Sequence, residues 1–424
     1  MRDPALSFGD QALASACNFL TTILLARALG LEAFGLYTMV WLPLYFAMSL
    51  QLGLIVSPMM SIGTKEQGEQ AEAYYTVIFF HQAGFVVVAT IAIFAVLMLV
   101  TGTGSPLADA ALPGSMAAAS YLTQDFLRRY LFARRRPAGI LVIDVINQSL
   151  KLGALAALWQ AGAINVANAL WAVAGAAAVS TICGLGMSGP LLWRRQILTT
   201  VTLRQWRSAR WLVLTGSVQW VLGYSGLLVT AGLFGPKVLG ALRAAQSLLA
   251  VLNVVREALE NIVPPLAGKA LAEGGMPGLH RLLGRAMLFV GLIGAAAVVG
   301  LGLFGPWLLH QLYGGEILEF DWVIIWYSFA LPMALMSLVL GCAFRALERT
   351  RPLFIATLVG GCLNLLAVYP AALAFGVAGL IAVTLLSELS VLIVLVILAF
   401  RIPGLLAGPP AAPASGRMMT VPSP

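Results

Sequence analysis

Along the chain, apolar stretches of about twenty residues alternate with short polar connectors. At about 1.5 Å of rise per residue, each stretch is long enough to cross the roughly 30 Å hydrocarbon core of a bilayer as a helix. Twelve such stretches are read, centred near Leu20, Phe46, Val87, Ala119, Leu150, Ala178, Leu222, Val251, Gly294, Met333, Leu363 and Glu388. The pattern predicts an all-α polytopic membrane protein with twelve transmembrane helices.

The connectors alternate in charge. The fourth-to-fifth holds Arg134, Arg135 and Arg136, and the sixth-to-seventh holds Arg194, Arg195, Arg204, Arg207 and Arg210. The eighth-to-ninth supplies Lys269, Arg281 and Arg285, and the tenth-to-eleventh supplies Arg345, Arg349 and Arg351. The second-to-third, with Lys65, Glu66, Glu69 and Glu72, says little by itself. In the other set, 101–112 carries only Asp109, 162–165 carries no charge, and 316–321 is acidic. Lys237 is the main exception. Because Lys and Arg stay on the cytoplasmic side, this predicts a multi-pass protein with both termini inside.

Composition agrees. Apolar residues make up 60% of the chain and charged residues 10%, and the mean hydropathy is +0.92. A soluble chain carries about a quarter charged residues. The net charge of +8 sits in loops between apolar spans, a pattern of topology signals and lipid headgroup contact. No soluble segment could present a basic face, so nucleic acid is not an expected partner. Cys17, Cys183, Cys342 and Cys362 lie in apolar stretches without metal-ligand spacing, which argues against a disulfide framework or a zinc site. Ala26-Arg27-Ala28 has the look of a signal-peptide cleavage site, but the stretch before it is long and contains Asn18. It reads as a retained first helix.

The halves echo one another. Gly30 and Gly35 bracket four residues after the first span, as Gly235 and Gly240 do after the seventh. Arg134-Arg135-Arg136-Pro137 is echoed by Arg349-Thr350-Arg351-Pro352. Six helices per half predicts two lobes, 1–205 and 206–402, related by a pseudo-two-fold axis along the membrane normal. The Pro-, Ala- and Gly-rich stretch 403–424 reads as a disordered cytoplasmic tail.

Charge inside hydrocarbon asks for a cavity or a partner. In the fifth span Asp144, Asn147, Gln148 and Lys151 recur at i, i+3, i+4 and i+7, which puts them on one helical face. Lys151 is too deep to reach the interface readily. The eighth span carries Arg243, Gln246, Ser247, Asn253, Glu257, Glu260 and Asn261, with Arg256 alongside. The first has Asp10, Asn18, Thr21 and Arg27. Asp125 with Arg128 or Arg129 reads as a structural pair joining helices, and Glu388 in the last span is either an ion site or a partner to an Arg. Two G-x-G-x-x-G matches, 184–189 and 300–305, follow no strand and read as helix-packing glycines. His81, His280 and His310 are dispersed, Asn147-Gln148-Ser149 is a sequon inside a span, and no connector could house a catalytic domain. No catalytic residue, metal site or cofactor is expected.

The run Asp10-Gln11-Ala12, Asn18-Phe19-Leu20, Leu25-Ala26-Arg27, Leu29-Gly30 and Phe34-Gly35-Leu36-Tyr37 resembles the Wzx-type polysaccharide-export flippases. These share a superfamily with the lipid II flippases and the multidrug (MATE) exporters. Ala241 to Ser247 and Leu259 to Pro264 are similar to the branch tied to exopolysaccharide synthesis. The resemblance implies movement of an undecaprenyl-pyrophosphate-linked oligosaccharide from the cytoplasmic to the periplasmic leaflet of a bacterial inner membrane, by alternating access coupled to an ion gradient. Its implied partners are that substrate, membrane lipids, a polysaccharide polymerase and a chain-length regulator. A sugar chain needs a polar lumen, and a pyrophosphate needs cations. Arg27, Lys151 and Arg243, with Arg256 as a second choice, are the candidate cations. Asp10, Asp144, Glu257 and Glu260 are the candidate ion-coupling acids. Competing readings are a MATE-like drug or cation antiporter, whose site would favour acidic and aromatic residues, a membrane glycan polymerase or ligase, and a non-transporting scaffold.

Overall fold

The computed structural model describes residues 4–63, 66, 68–101, 105–134, 136–189, 192, 194–250, 253–349, 351–402 and 405. The expected tail, Leu405 aside, lies outside them. Among the described residues all regular structure is helical, as the hydropathy pattern predicts. Helix α1 (Pro4–Gln51) passes through a π-helical turn into α2 (Ser57–Ile62). It is followed by α3 (Gly68–Thr101), the short α4 (Pro106–Asp109), α5 (Ala111–Ala133), α6 (Pro137–Gln160), α7 (Val166–Leu185) and α8 (Leu198–Leu233). Then come α9 (Gly235–Ala250), α10 (Asn253–Tyr313), α11 (Asp321–Ser328), α12 (Ala330–Ala346) and α13 (Arg351–Phe400).

Eight described stretches are long and apolar enough to cross a membrane. Three of them, of 50, 52 and 50 residues, are too long for one crossing. Each of the helices that contain them breaks at a glycine with positive φ: Gly30 (77°) in α1, Gly275 (56°) in α10 and Gly376 (62°) in α13. Only glycine takes this conformation without steric cost. Helix α5 is less apolar because it carries Gln124, Asp125, Arg128 and Arg129. With α5 included and the long helices divided at these glycines, twelve helical stretches follow one another in the expected order. The eighth consists of α9 and the opening of α10, and Val251 lies outside the described residues.

Burial is inverted relative to a soluble fold. On α3, Val87, Val88, Ile91 and Leu99 are 59%, 67%, 64% and 83% exposed. On α6, Val142, Val145 and Leu150 face outward, while Asp144, Asn147, Gln148 and Lys151 are all buried. An exposed apolar face of this extent is stable against lipid and costly against water.

The chain forms two compact units. One comprises Met1–Val251 with Trp307–Asp321, and the other comprises Leu252–Pro306 with Trp322–Pro424. The first has a core of apolar side chains from α2, α3, α5 and α6, including Met59, Tyr75, Ile78, Phe126, Tyr130 and Ile143. In the second, α10, α12 and α13 bury Leu279, Val290, Val339, Phe344, Ala356 and Leu395 together.

Connector contacts in the first unit sort by parity. Glu66 pairs with Arg204 at 2.6 Å, Glu69 pairs with Arg194, and Glu72 pairs with Arg134, whose guanidinium also lies over the Tyr75 ring. The second, fourth and sixth connectors therefore meet on one face. The acidic second-to-third connector joins the basic set because its carboxylates neutralise that set's arginines. At the other end, Glu316 accepts a hydrogen bond from the Leu31 amide at 3.0 Å, and Lys237 pairs with Glu319 at 2.8 Å. This brings the first, seventh and ninth connectors together, and the exceptional Lys237 lies beside the acids of that set.

The two G-x4-G echoes pack on each other. A Cβ on Gly35 would lie 1.8 Å from the Pro236 carbonyl oxygen, and one on Gly240 would lie 2.2 Å from that of Leu31. Pro236 follows Gly235 just as Leu31 follows Gly30, so each copy makes the same contact to the other. Gly235 also shares the positive φ of Gly30, at 79° against 77°. Reciprocal contacts of this kind are the signature of a local two-fold relation.

Candidate functional site

The fifth-span stripe is buried against its neighbours within the first unit. Asp144 on α6 pairs with Arg128 of α5, Nε to Oδ2 at 2.7 Å, and accepts a hydrogen bond from Gln124 Nε2 at 3.1 Å. Two turns along the same face, Lys151 Nζ donates to Asn18 Oδ1 of α1 at 3.0 Å. The Ser180 hydroxyl of α7 donates to the Ile143 carbonyl at 2.7 Å. Asp125 pairs with Arg129 at 2.8 Å within α5, so this pair does not join two helices as expected; Arg128 makes the inter-helix link, to Asp144. The arrangement follows from α6 turning its polar residues away from lipid, so that α1 and α5 must supply partners.

The Asp144–Arg128 pair carries a prediction. Asp144→Asn leaves a guanidinium without its carboxylate, and breaking a buried pair costs about 3–5 kcal/mol. Arg128 is 30% exposed, so water screens part of this, and a loss of about 1–3 kcal/mol is expected. Thermal unfolding in detergent checks it. Adding Arg128→Gln should recover part of the loss, and strict additivity of the two substitutions would count against the pairing.

Arg243 occupies a second polar centre, on α9. Its guanidinium donates to Tyr45 Oη at 3.3 Å and Gln246 Oε1 at 3.5 Å, and lies 5.9 Å from the centre of the Tyr45 ring. Tyr45 stacks on Tyr224 at 5.3 Å, Tyr224 on Trp220 at 5.6 Å, and Trp41 meets Tyr121 edge-on at 5.4 Å. Sequence reading missed this aromatic group. Its signal was present in the four-residue spacing of Tyr37, Trp41 and Tyr45 and of Trp220 and Tyr224, which aligns each set along one helix face.

The remaining candidates are dispersed. Arg27 is exposed on α1, with Nη1 donating to the Gln311 carbonyl at 3.2 Å. In the second unit Arg256 is exposed, pairs with Glu260 at 3.1 Å, and is the cation that acts on Glu388. The backbones of Asp10 and Glu257 are helical, but their side chains lie outside the described residues. Among the described residues Arg27, Lys151 and Arg243 make no ion pair, whereas Arg256 does. No group of His, Cys, Asp and Glu among them could hold a metal ion.

Among the described residues, twelve helical stretches with exposed apolar surfaces and buried charge define a polytopic membrane protein. The family model for polysaccharide biosynthesis proteins matches residues 9–259, more than half of the chain, and the chain belongs to that family. No curated protein matches it in sequence. Among solved structures it is similar to the lipid II flippase MurJ in an inward closed conformation, with a TM-score of 0.72 at 13% identity over 93% of this chain and 87% of that one. It is also similar to an inward-facing MATE-family multidrug resistance transporter of the MOP superfamily, with a TM-score of 0.71 at 14% identity over 92% and 94%. A third similar structure is a MOP superfamily transporter from Pyrococcus furiosus described as having a binding pocket of reverse polarity, with a TM-score of 0.56 at 13% identity over 95% and 92%. The chain shares its fold with these membrane transporters.

Proposed function

We propose that the chain flips an undecaprenyl-pyrophosphate-linked oligosaccharide from the cytoplasmic to the periplasmic leaflet of a bacterial inner membrane, with both termini cytoplasmic. The observation that carries this reading is Arg243, a half-buried guanidinium without a carboxylate partner among the described residues, set beside Tyr45 and the Trp220–Tyr224 stack, in a chain of the polysaccharide biosynthesis family. Arg presents a planar fork of donors suited to phosphate oxygens, and aromatic rings offer apolar faces with polar edges suited to sugars. Arg243 and Arg27 are assigned to the pyrophosphate. Arg256, already engaged by Glu260, contributes less. Alternating access is driven by an ion gradient acting through the buried charges, and the polymer-forming partners are a polymerase and a chain-length regulator.

The fold is equally similar to a drug exporter, but unneutralised cations favour an anionic cargo over a cationic drug. The test is lipid analysis of a deletion strain, with labelling to show the leaflet. Lipid-linked oligosaccharide should accumulate on the cytoplasmic side, exported polymer should disappear, and the intact gene should restore it. Normal lipid intermediates and polymer with raised drug sensitivity would overturn this reading in favour of the exporter.

A further inference from the structure

Lys151 differs from every other buried charge in the first unit. Its side chain is 8% exposed, and its hydrogen-bond partner is a neutral amide, Asn18 Oδ1, at 3.0 Å. The nearest acid on its own helix, Asp144, is taken by Arg128 and Gln124. The groups that act on it are Cys17 of α1 and Asp144 of α6. Helix α5 adds Asp125 and Arg129, which pair with each other, and the only ionisable side chain of α7 is Cys183.

We infer that the Lys151–Asn18 pair is the proton-loading site of the transport cycle, Lys151 alternating between ammonium and neutral amine while Asp144 stays a structural carboxylate. The inference rests on the reading of the chain as an ion-coupled transporter.

Two geometric facts carry it. Protonating Asp144 would remove the carboxylate from the Arg128 guanidinium, so the acid is held in one state by its partner. Among the described residues Lys151 has no such anchor, and Asn18 can serve both of its states. The amide oxygen accepts from the ammonium, and after a side-chain flip the amide NH2 donates to the amine lone pair. A carboxylate at that position could accept but could not donate. In the step itself one N–H bond of the ammonium breaks, the proton leaves on a water molecule as hydronium, and the electron pair stays on Nζ. The site thereby loses one positive charge. The change is felt by α1, whose Gly30 hinge lies twelve residues beyond Asn18.

The test separates this role from phosphate binding, for which Arg would serve at least as well. Guanidinium does not lose its proton in proteins, so Lys151→Arg keeps the charge and removes the titration. Asn18→Asp is a near-isosteric second variant that fixes the ammonium with a carboxylate. Wild type and both variants are reconstituted in phosphatidylethanolamine–phosphatidylglycerol vesicles with entrapped pyranine. The probe is a fluorescent undecaprenyl pyrophosphate carrying one sugar.

Wild type should flip the probe and move protons. Both variants should move none above empty vesicles and flip about tenfold or more slowly. Wild-type proton movement in both variants overturns the assignment to Lys151. Flipping by wild type without any proton movement overturns the coupling reading itself. A measurement on wild type needs neither variants nor flipping. With 13C-labelled lysine, the Lys151 signal should move between its ammonium and amine positions across the pH range in which transport runs. A Lys151 signal fixed as ammonium throughout refutes the proposal, even if no variant folds.

Discussion

Gly35→Ala is expected to destabilise the protein severely, because the added methyl carbon would lie 1.8 Å from the Pro236 carbonyl oxygen, inside any possible van der Waals contact. The obstacle is backbone, so no side chain can rotate away and the two helix ends must separate. Overpacking commonly costs about 1–3 kcal/mol where side chains can yield, and a backbone shift at a helix junction belongs at or above the top of that range. Gly240→Ala meets the Leu31 carbonyl oxygen at 2.2 Å and should behave alike. Gly226→Ala on α8 is the control: nothing lies within 4 Å, its helical backbone accepts a side chain, and its stability should hold or rise slightly. Thermal unfolding in detergent, with membrane expression level, checks all three. Wild-type stability for Gly35→Ala would show that the two repeats do not meet at this junction.

Arg243→Ala is expected to lower polymer export without a comparable loss of stability. Among the described residues its guanidinium makes two long hydrogen bonds, to Tyr45 and Gln246, and no ion pair, so the fold depends on it little. A charge-assisted hydrogen bond to cargo is worth about 1.5–3 kcal/mol, which corresponds to roughly a ten- to hundredfold loss of transport. Arg243→Lys should recover part of this, since an ammonium supplies charge without the bidentate fork. The comparison requires equal amounts of protein in the membrane. Undiminished export from Arg243→Ala would remove this residue from the cargo path.

Much of this was legible in the sequence because membranes impose simple periodicities. A bilayer fixes span length, and lipid admits no unsatisfied backbone, so apolar runs translate directly into helices. The stripe Asp144, Asn147, Gln148 and Lys151 was readable because helical geometry alone places i, i+3, i+4 and i+7 on one face. The G-x4-G echo was readable as a repeat. Its reciprocal contact was not, because close approach of two backbones more than 200 positions apart leaves no local periodic trace. Nor could spacing reveal which charges are neutralised. Asp144 and Lys151 sit on one face of one helix, yet one pairs with Arg128 and the other hydrogen-bonds to the Asn18 amide.

Sequence by itself determined the class of molecule, the number and order of its helical stretches, and the parity of its connectors. These depend on residue type and spacing along one chain, quantities that the bilayer reads one helix at a time. Tertiary structure decided which polar residues are partners, why Lys237 sits beside Glu319, and which cations keep their charge unanswered. Those outcomes depend on distances of about 3 Å between side chains far apart in sequence. Electrostatic and hydrogen-bonding energies change steeply over such distances, and hydropathy is blind to them.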